Sequence, residues 1–185
     1  MPKPPMSAWS VVVCLVAMVL AACGAGSPAA PDVAPADDRV LFARLGDLAQ
    51  QRVHEATPGA VLHQVDVLPG EGRYTFRFVD AATSKVASAS GKVDVKVPAD
   101  FVVTSGALGA LAMPPTTPLD LAALRFGPDG VVAAAVQALG AATPRTLVLS
   151  RRDGSLVWRA EVNGPKGIVS GTVADETGRF VPDAP

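Results

Sequence analysis

The chain has 185 residues and a formal net charge of -1, with 16 basic and 17 acidic side chains. A near-neutral charge gives no electrostatic basis for binding nucleic acid, so that class of partner is excluded. The length predicts one domain or two small ones.

The first 22 residues have the organisation of an export signal. Lys3 is the only charged residue before Asp32, and an apolar run from Val11 to Leu20 follows it. A positive start and a short apolar run are typical of a secretory signal, and the run is too short to span a bilayer comfortably. Residues 1–22 are therefore predicted to be a signal peptide.

The apolar run ends in Leu20-Ala21-Ala22-Cys23, which resembles the lipobox of bacterial lipoproteins. The resemblance implies that Cys23 becomes the first residue of the mature protein and carries the lipid, because a thiol is a good nucleophile for taking up diacylglycerol. The other cysteine, Cys14, would be removed, so the mature domain could form neither a disulfide nor a thiolate metal site. A cleaved signal with a chance cysteine and an uncleaved membrane helix are the alternatives.

A lipid on Cys23 implies a protein of the cell envelope, held to a membrane and facing away from the cytoplasm. Gly24 follows the cysteine. By analogy with lipoprotein sorting in Gram-negative bacteria, this indicates the outer membrane if the source is such a bacterium. Residues 23–37 are rich in small residues and proline, which predicts a flexible tether.

Residues 38–97 are predicted to form a helix followed by three antiparallel strands. The predicted elements are a helix over 38–55 and strands over 60–68, 73–80 and 85–97. The apolar face of the helix is predicted to contain Leu41, Phe42, Leu45, Leu48, Ala49, Val53 and Ala56. In the second strand, Tyr74, Phe76 and Phe78 alternate with polar residues, which predicts one apolar face.

Residues 98–118 are predicted to be a connector with one short apolar segment around Phe101–Val103. Residues 119–185 repeat the helix-and-strands pattern. The predicted elements are one or two helical turns over 119–126, a helix over 128–141, strands over 146–151, 155–162 and 168–174, and turns at 153–154, 163–167 and 175–178.

The two halves resemble each other in sequence. The segment TFRF aligns with VWRA, which pairs Phe76 with Trp158 and Arg77 with Arg159. We therefore predict an α+β fold of two α-β-β-β repeats, with the helices packed on one face of the antiparallel sheet. One continuous sheet and two separate lobes both satisfy this pattern.

A turn containing Asp175, Thr177 and Gly178 ends the second half and resembles the turn of PepSY-type modules. In the first half the nearest match begins at Asp80, lies one hairpin earlier, and has Ser84 where glycine is expected. The resemblance implies a helix packed across a short sheet, and a binding or inhibitory unit that is not an enzyme.

No residue pattern predicts catalysis, a metal or a cofactor. His54 and His63 are the only histidines, and they lack the spacing of a metal site. His63 is predicted to share a strand face with Val61, Val65 and Val67 as a partly buried structural residue. GxSxG and SxxK motifs are absent, so no serine nucleophile is predicted.

The candidate interface residues are arginines predicted to lie on the sheet face opposite the aromatics. They are Arg73, Arg77, Arg151 and Arg159, with Arg152 beside them. The alternative is a solvated face on which Glu161 and Asp94 pair with these arginines.

The predicted function is that of a membrane-anchored envelope lipoprotein whose domain is a non-catalytic binding or inhibitory module for a protein or peptide. A structural envelope lipoprotein without a specific ligand is the first alternative. An enzyme of unknown type is the second.

Overall fold

In a computed structural model, the chain is described over residues 36–83, 85–92, 101–107 and 117–184. The predicted signal peptide, Cys23 and nearly all of the predicted tether lie outside these residues. Residues 93–97 of the third predicted strand, including Asp94, lie outside them as well.

The described residues form two helices, one short 3-10 turn and eight strands. The helices are α1, Ala36–Ala56, and α2, Pro128–Leu139. The strands are β1 Val61–Leu68, β2 Arg73–Asp80, β3 Lys85–Lys92, β4 Val102–Ala107, β5 Thr143–Arg152, β6 Ser155–Gly164, β7 Gly167–Ala174 and β8 Phe180–Pro182.

Both predicted long helices and all six predicted strands are present, most of them with shifted ends, while β2 has the predicted bounds. Helix α2 ends at Leu139 because Gly140 adopts a left-handed conformation and donates its N–H to the carbonyl of Val136. Strands β4 and β8 are additional: β4 lies in the predicted connector, and β8 follows the last predicted turn.

The one or two helical turns predicted over residues 119–126 are wrong. This segment is an irregular loop that buries Leu119, Leu121 and Leu124. The N–H of Leu119 donates to the carbonyl of Leu62 at 2.8 Å, so part of the loop's backbone bonds to a strand instead of to a helix of its own.

All eight strands form one antiparallel sheet in the order β4-β3-β2-β1-β5-β6-β7-β8. The two halves meet where β1 pairs with β5, with Val65 opposite Leu149. The question left open by the sequence is therefore answered in favour of one continuous sheet.

The inner face of the sheet and both helices contribute to one hydrophobic core. Helix α1 contributes Phe42, Leu45, Ala49 and Val53, a narrower stripe than predicted. Leu41 and Leu48 are 38% and 39% exposed because the sheet covers only one side of the helix.

Phe42 joins the aromatic side chains of both halves. Its ring centroid is 6.0 Å from that of Phe76 and 5.5 Å from that of Trp158. Both partners are fully buried, as predicted, while the neighbouring Arg77 and Arg159 are exposed. Helix α1 therefore packs on aromatic residues from both sides of the β1–β5 junction.

Candidate functional site

The outer face of the sheet, opposite the helices and the core, is mostly polar but also carries Val102, Val148 and Val181. The strands place mostly short polar side chains there, because inward and outward positions alternate along each strand. Members of this face include Gln64, Asp66, Thr75, Arg77, Ser88, Ser90, Thr104, Ser150, Arg159 and Thr172.

Three of the four candidate arginines carry ion pairs with nearby acids. Arg73 lies 3.0 Å from Glu71, and Arg77 lies 2.5 Å from Asp66. Asp66 also accepts a hydrogen bond from the side-chain amide of Gln64 at 2.6 Å. The positive charge on β2 is thus partly neutralised by adjacent side chains.

On the other half of the outer face, Arg159 lies 3.4 Å from Asp183. Glu161, expected as a partner of the candidate arginines, pairs with Arg145 at 3.1 Å. Three strand steps separate Arg77 on β2 from Arg159 on β6, about 14 Å at the usual strand spacing. The two arginines therefore belong to separate parts of the face.

The predicted position of Arg151 on the outer face is wrong. Leu147, Leu149 and Arg151 alternate along β5, and both leucines are buried in the core, so Arg151 belongs to the inner face. Its guanidinium donates to the carbonyl of Gly154 at 2.5 Å and to that of Pro118 at 3.4 Å. Arg151 thus holds a turn and a loop at the end of β5.

A depression of about 450 Å³ lies around Arg159 on the outer face. The residues that line it are Ser150, Arg152, Val157, Arg159, Thr172 and Asp183. Sequence alternation alone could have found Ser150 and Thr172, which point the same way as Arg159. Asp183 could not be found in that way, because its position depends on the pairing of β8 with β7.

His63 lies at an irregularity of β1, and its predicted strand face is wrong. The pairing register with β2 shifts between Leu62 and Gln64, so Leu62 is buried in place of Val61. Burial lowers the pKa of His63 below its usual 6.5, and the positive charge of Arg77 lowers it further. The neutral imidazole is the form favoured at this position.

His54 connects the end of α1 to the start of β1. Its Nε2 lies 2.9 Å from the carbonyl oxygen of Ala60. His54 and His63 take part in separate local contacts, and no group of three or more His, Cys, Asp or Glu side chains suited to a metal occurs within residues 36–83, 85–92, 101–107 and 117–184.

Asp175, in the turn that resembles the PepSY pattern, anchors the loop before α2. Its buried carboxylate accepts hydrogen bonds from the backbone N–H of Arg125 at 2.9 Å and of Phe126 at 3.0 Å. Gly178 has φ +61, and a Cβ there would overlap the ring of Phe126. These two residues of the turn therefore serve to fix the loop.

Asp80, the nearest match in the first half, closes its own turn. Its carboxylate accepts the hydroxyl of Thr83 at 2.6 Å and the backbone N–H of Ala82 at 3.0 Å. The hydroxyl of Thr83 is the main cause that holds the pKa of Asp80 below its usual value. Asp80 and Asp175 thus both stabilise turns, but Asp80 acts within one hairpin.

A further carboxylate, that of Asp38 on α1, caps α2. It accepts the N–H of Asp129 at 3.1 Å, and a Cβ on Gly127 would overlap it. Burial is the main cause that raises the pKa of Asp38. The side chain of Asp38 thus fixes the start of α2.

No protein-family model matches the chain. No curated protein matches it either. One solved structure, of a putative lipoprotein from Clostridium difficile 630, is similar in fold, with a TM-score of 0.55 and 12% sequence identity. The similarity covers 71% of this chain and 86% of that one. At 12% sequence identity, the similarity shows a shared fold alone.

Within the part of the chain that the structure describes, neither helix is both long and apolar enough to cross a membrane.

Proposed function

We propose that this chain is an envelope lipoprotein, anchored through lipid on Cys23, whose α+β domain is a non-catalytic module that binds a protein or peptide. The lipobox-like segment Leu20-Ala21-Ala22-Cys23 supports the anchor. The similarity in fold to a putative lipoprotein supports it too. The domain then faces away from the cytoplasm, on the outer membrane if the source is Gram-negative.

The outer face of the sheet is the observation that carries the binding role. Both described helices pack into the core on the inner face, so within the described part of the chain no helix covers the largely polar outer face, which carries the exposed Arg77 and Arg159. Arginine is enriched in protein interfaces because its planar group forms several directed hydrogen bonds.

The arrangement of the sheet supports a duplicated domain. Each half supplies one helix and then four consecutive strands, and the two first strands, β1 and β5, pair at the centre. Phe76 and Trp158 each lie on the second strand of their half and are fully buried. We infer that the halves are structural copies, each similar to a PepSY-type module.

A structural lipoprotein without a specific ligand is the second candidate. It is favoured by the ion pairs of Arg73, Arg77 and Arg159, since arginines paired with their own neighbours need no partner. The two candidates differ in their expected result when the outer-face arginines are removed. A binding module should lose partner capture, whereas a structural lipoprotein should show no change in it.

Changing Cys23→Ala should abolish lipidation, because Cys14 lies in the predicted signal and the chain has no other cysteine. Cells fed an alkyne-labelled palmitate are expected to label the wild-type chain and not the variant. Cys14→Ala is the matched control and should label like the wild type. Equal labelling of wild type and Cys23→Ala would contradict the anchor.

The double change Arg77→Ala and Arg159→Ala should reduce partner capture several-fold without unfolding the domain, because both side chains are exposed. Capture is measured by chemical crosslinking of the full chain in intact cells, followed by mass spectrometry of the products. Arg145→Ala, which removes a similarly paired arginine of β5, is the control. An unchanged crosslink pattern in the double variant would favour the structural lipoprotein.

A further inference from the structure

Two arginines in the depression of the outer face, Arg152 and Arg159, are exposed and form only long ion pairs with acids. Arg152 and Arg159 have side chains that are 76% and 68% exposed. Among the described residues, the acid paired with Arg152 is Asp153, 3.9 Å away, which is too long for a hydrogen bond, and the side chain of Asp153 is 95% exposed. Arg152 therefore has spare capacity to bind an anionic group.

Asp183 indicates which anionic group the depression accepts. Its carboxylate lies 3.4 Å from the guanidinium of Arg159, and its backbone N–H donates to the carbonyl of Ser170 at 2.8 Å. Asp183 follows strand β8, so it reaches the depression as a carboxylate on an extended segment beside β7. The long, exposed ion pair is weak and can be exchanged.

We propose that this depression binds a carboxylate of an acidic peptide segment, which replaces Asp183 on Arg159. The proposal rests on the proposed function, since it names the chemistry of the partner at the same face. Once Asp183 is displaced, Arg152 and Arg159 present two positive charges to the incoming group. Arginine binds carboxylates with paired, charge-assisted hydrogen bonds.

The remaining lining residues fit the same kind of ligand. Ser150 and Thr172 supply hydroxyl groups, each able to donate one hydrogen bond to a carboxylate oxygen or accept one from a peptide N–H. Val157 offers an apolar contact for the methylene groups of an acidic side chain. Since the group already on Arg159 is a side-chain carboxylate on extended backbone, a peptide carboxylate matches the site better than a free phosphate.

The test measures binding of a fluorescein-labelled hexaglutamate peptide to the full chain in detergent micelles, by fluorescence anisotropy. Arg159→Ala should weaken binding about tenfold, the usual effect of losing a charged hydrogen bond. Asp183→Asn should strengthen binding about threefold, because it removes the competing carboxylate. Arg145→Ala is the matched control and should leave affinity within about twofold.

The melting temperature of each variant is measured in parallel, and Arg159→Gln provides a second, less disruptive loss of charge. Equal affinity of wild type, Arg159→Ala and Arg159→Gln would overturn the proposal. An equal loss in Arg145→Ala would overturn it as well, because it would indicate nonspecific attraction.

Two further arms separate carboxylate from phosphate chemistry. Inorganic phosphate, phosphatidylglycerol vesicles and unlabelled hexaglutamate are each tested for how well they displace the labelled peptide. If hexaglutamate competes best, the carboxylate assignment is supported; if phosphate or the vesicles compete better, it is overturned. Should peptide binding not depend on Arg159 while crosslinking still depends on the Arg77 and Arg159 pair, the carboxylate proposal fails and the proposed function stands.

Discussion

Trp158→Ala is expected to lower the free energy of unfolding by about 3–5 kcal/mol, a large part of the stability of a small domain. The indole is fully buried, and its ring centroid is 5.5 Å from that of Phe42 on α1. Its Nε1 also donates to the carbonyl of Phe126 at 3.2 Å. The change therefore leaves a cavity beside α1 and a buried carbonyl without its donor.

Urea denaturation followed by circular dichroism measures this loss. The neighbouring change Arg159→Ala is the matched control and should cost less than about 1 kcal/mol, because its side chain is 68% exposed in a surface ion pair. Phe76→Ala should resemble Trp158→Ala, since Phe76 is equally buried against Phe42. A Trp158→Ala variant as stable as Arg159→Ala would mean that the indole is not part of the core.

Asp175→Ala should destabilise the domain by about 3 kcal/mol or more, since buried N–H groups that lose their partner cost about 1–3 kcal/mol each. Two backbone N–H groups, of Arg125 and Phe126, donate to this carboxylate, whose residue is only 5% exposed. Asp175 lies 50 residues from Arg125 and 49 residues from Phe126 in the sequence, so its carboxylate links two distant segments. Removing the carboxylate therefore frees the loop before α2. Thermal and urea unfolding both measure the effect.

Two variants test the cause of this loss. Asp175→Asn keeps one acceptor oxygen and should recover part of the stability lost in Asp175→Ala. Asp183→Ala removes an exposed acid with a surface ion pair and should change stability by less than about 1 kcal/mol. Equal losses in Asp175→Ala and Asp183→Ala would contradict the anchoring role of Asp175.

Local sequence patterns were sufficient for several elements whose determinants lie close together in the chain. The alternation of residues 73–80 predicted β2 with both of its ends. Asp153-Gly154 predicted a tight hairpin, and the two residues have φ values of 51° and 86°, the left-handed conformation that such turns require. Pro128 marked the start of α2 because its ring suits the first helical position.

The candidate site was only partly accessible from the sequence. Alternation correctly placed Arg77 and Arg159 on the face opposite Phe76 and Trp158. The same rule, applied along β5 from Leu149, would have placed Arg151 on the inner face. The face on which each of these three arginines lies depends only on the alternation of side chains along its own strand.

By itself, the sequence determined the two helices, six of the strands, the tight turns and the apolar side of β2. Each of these features depends on residues that are close together in the sequence. Only the tertiary structure decided that β1 pairs with β5 to make one sheet and that Asp183 reaches Arg159. It also decided that Asp175 holds the loop before α2. These contacts join residues far apart in the chain, so their energies depend on packing and pairing that no local pattern records.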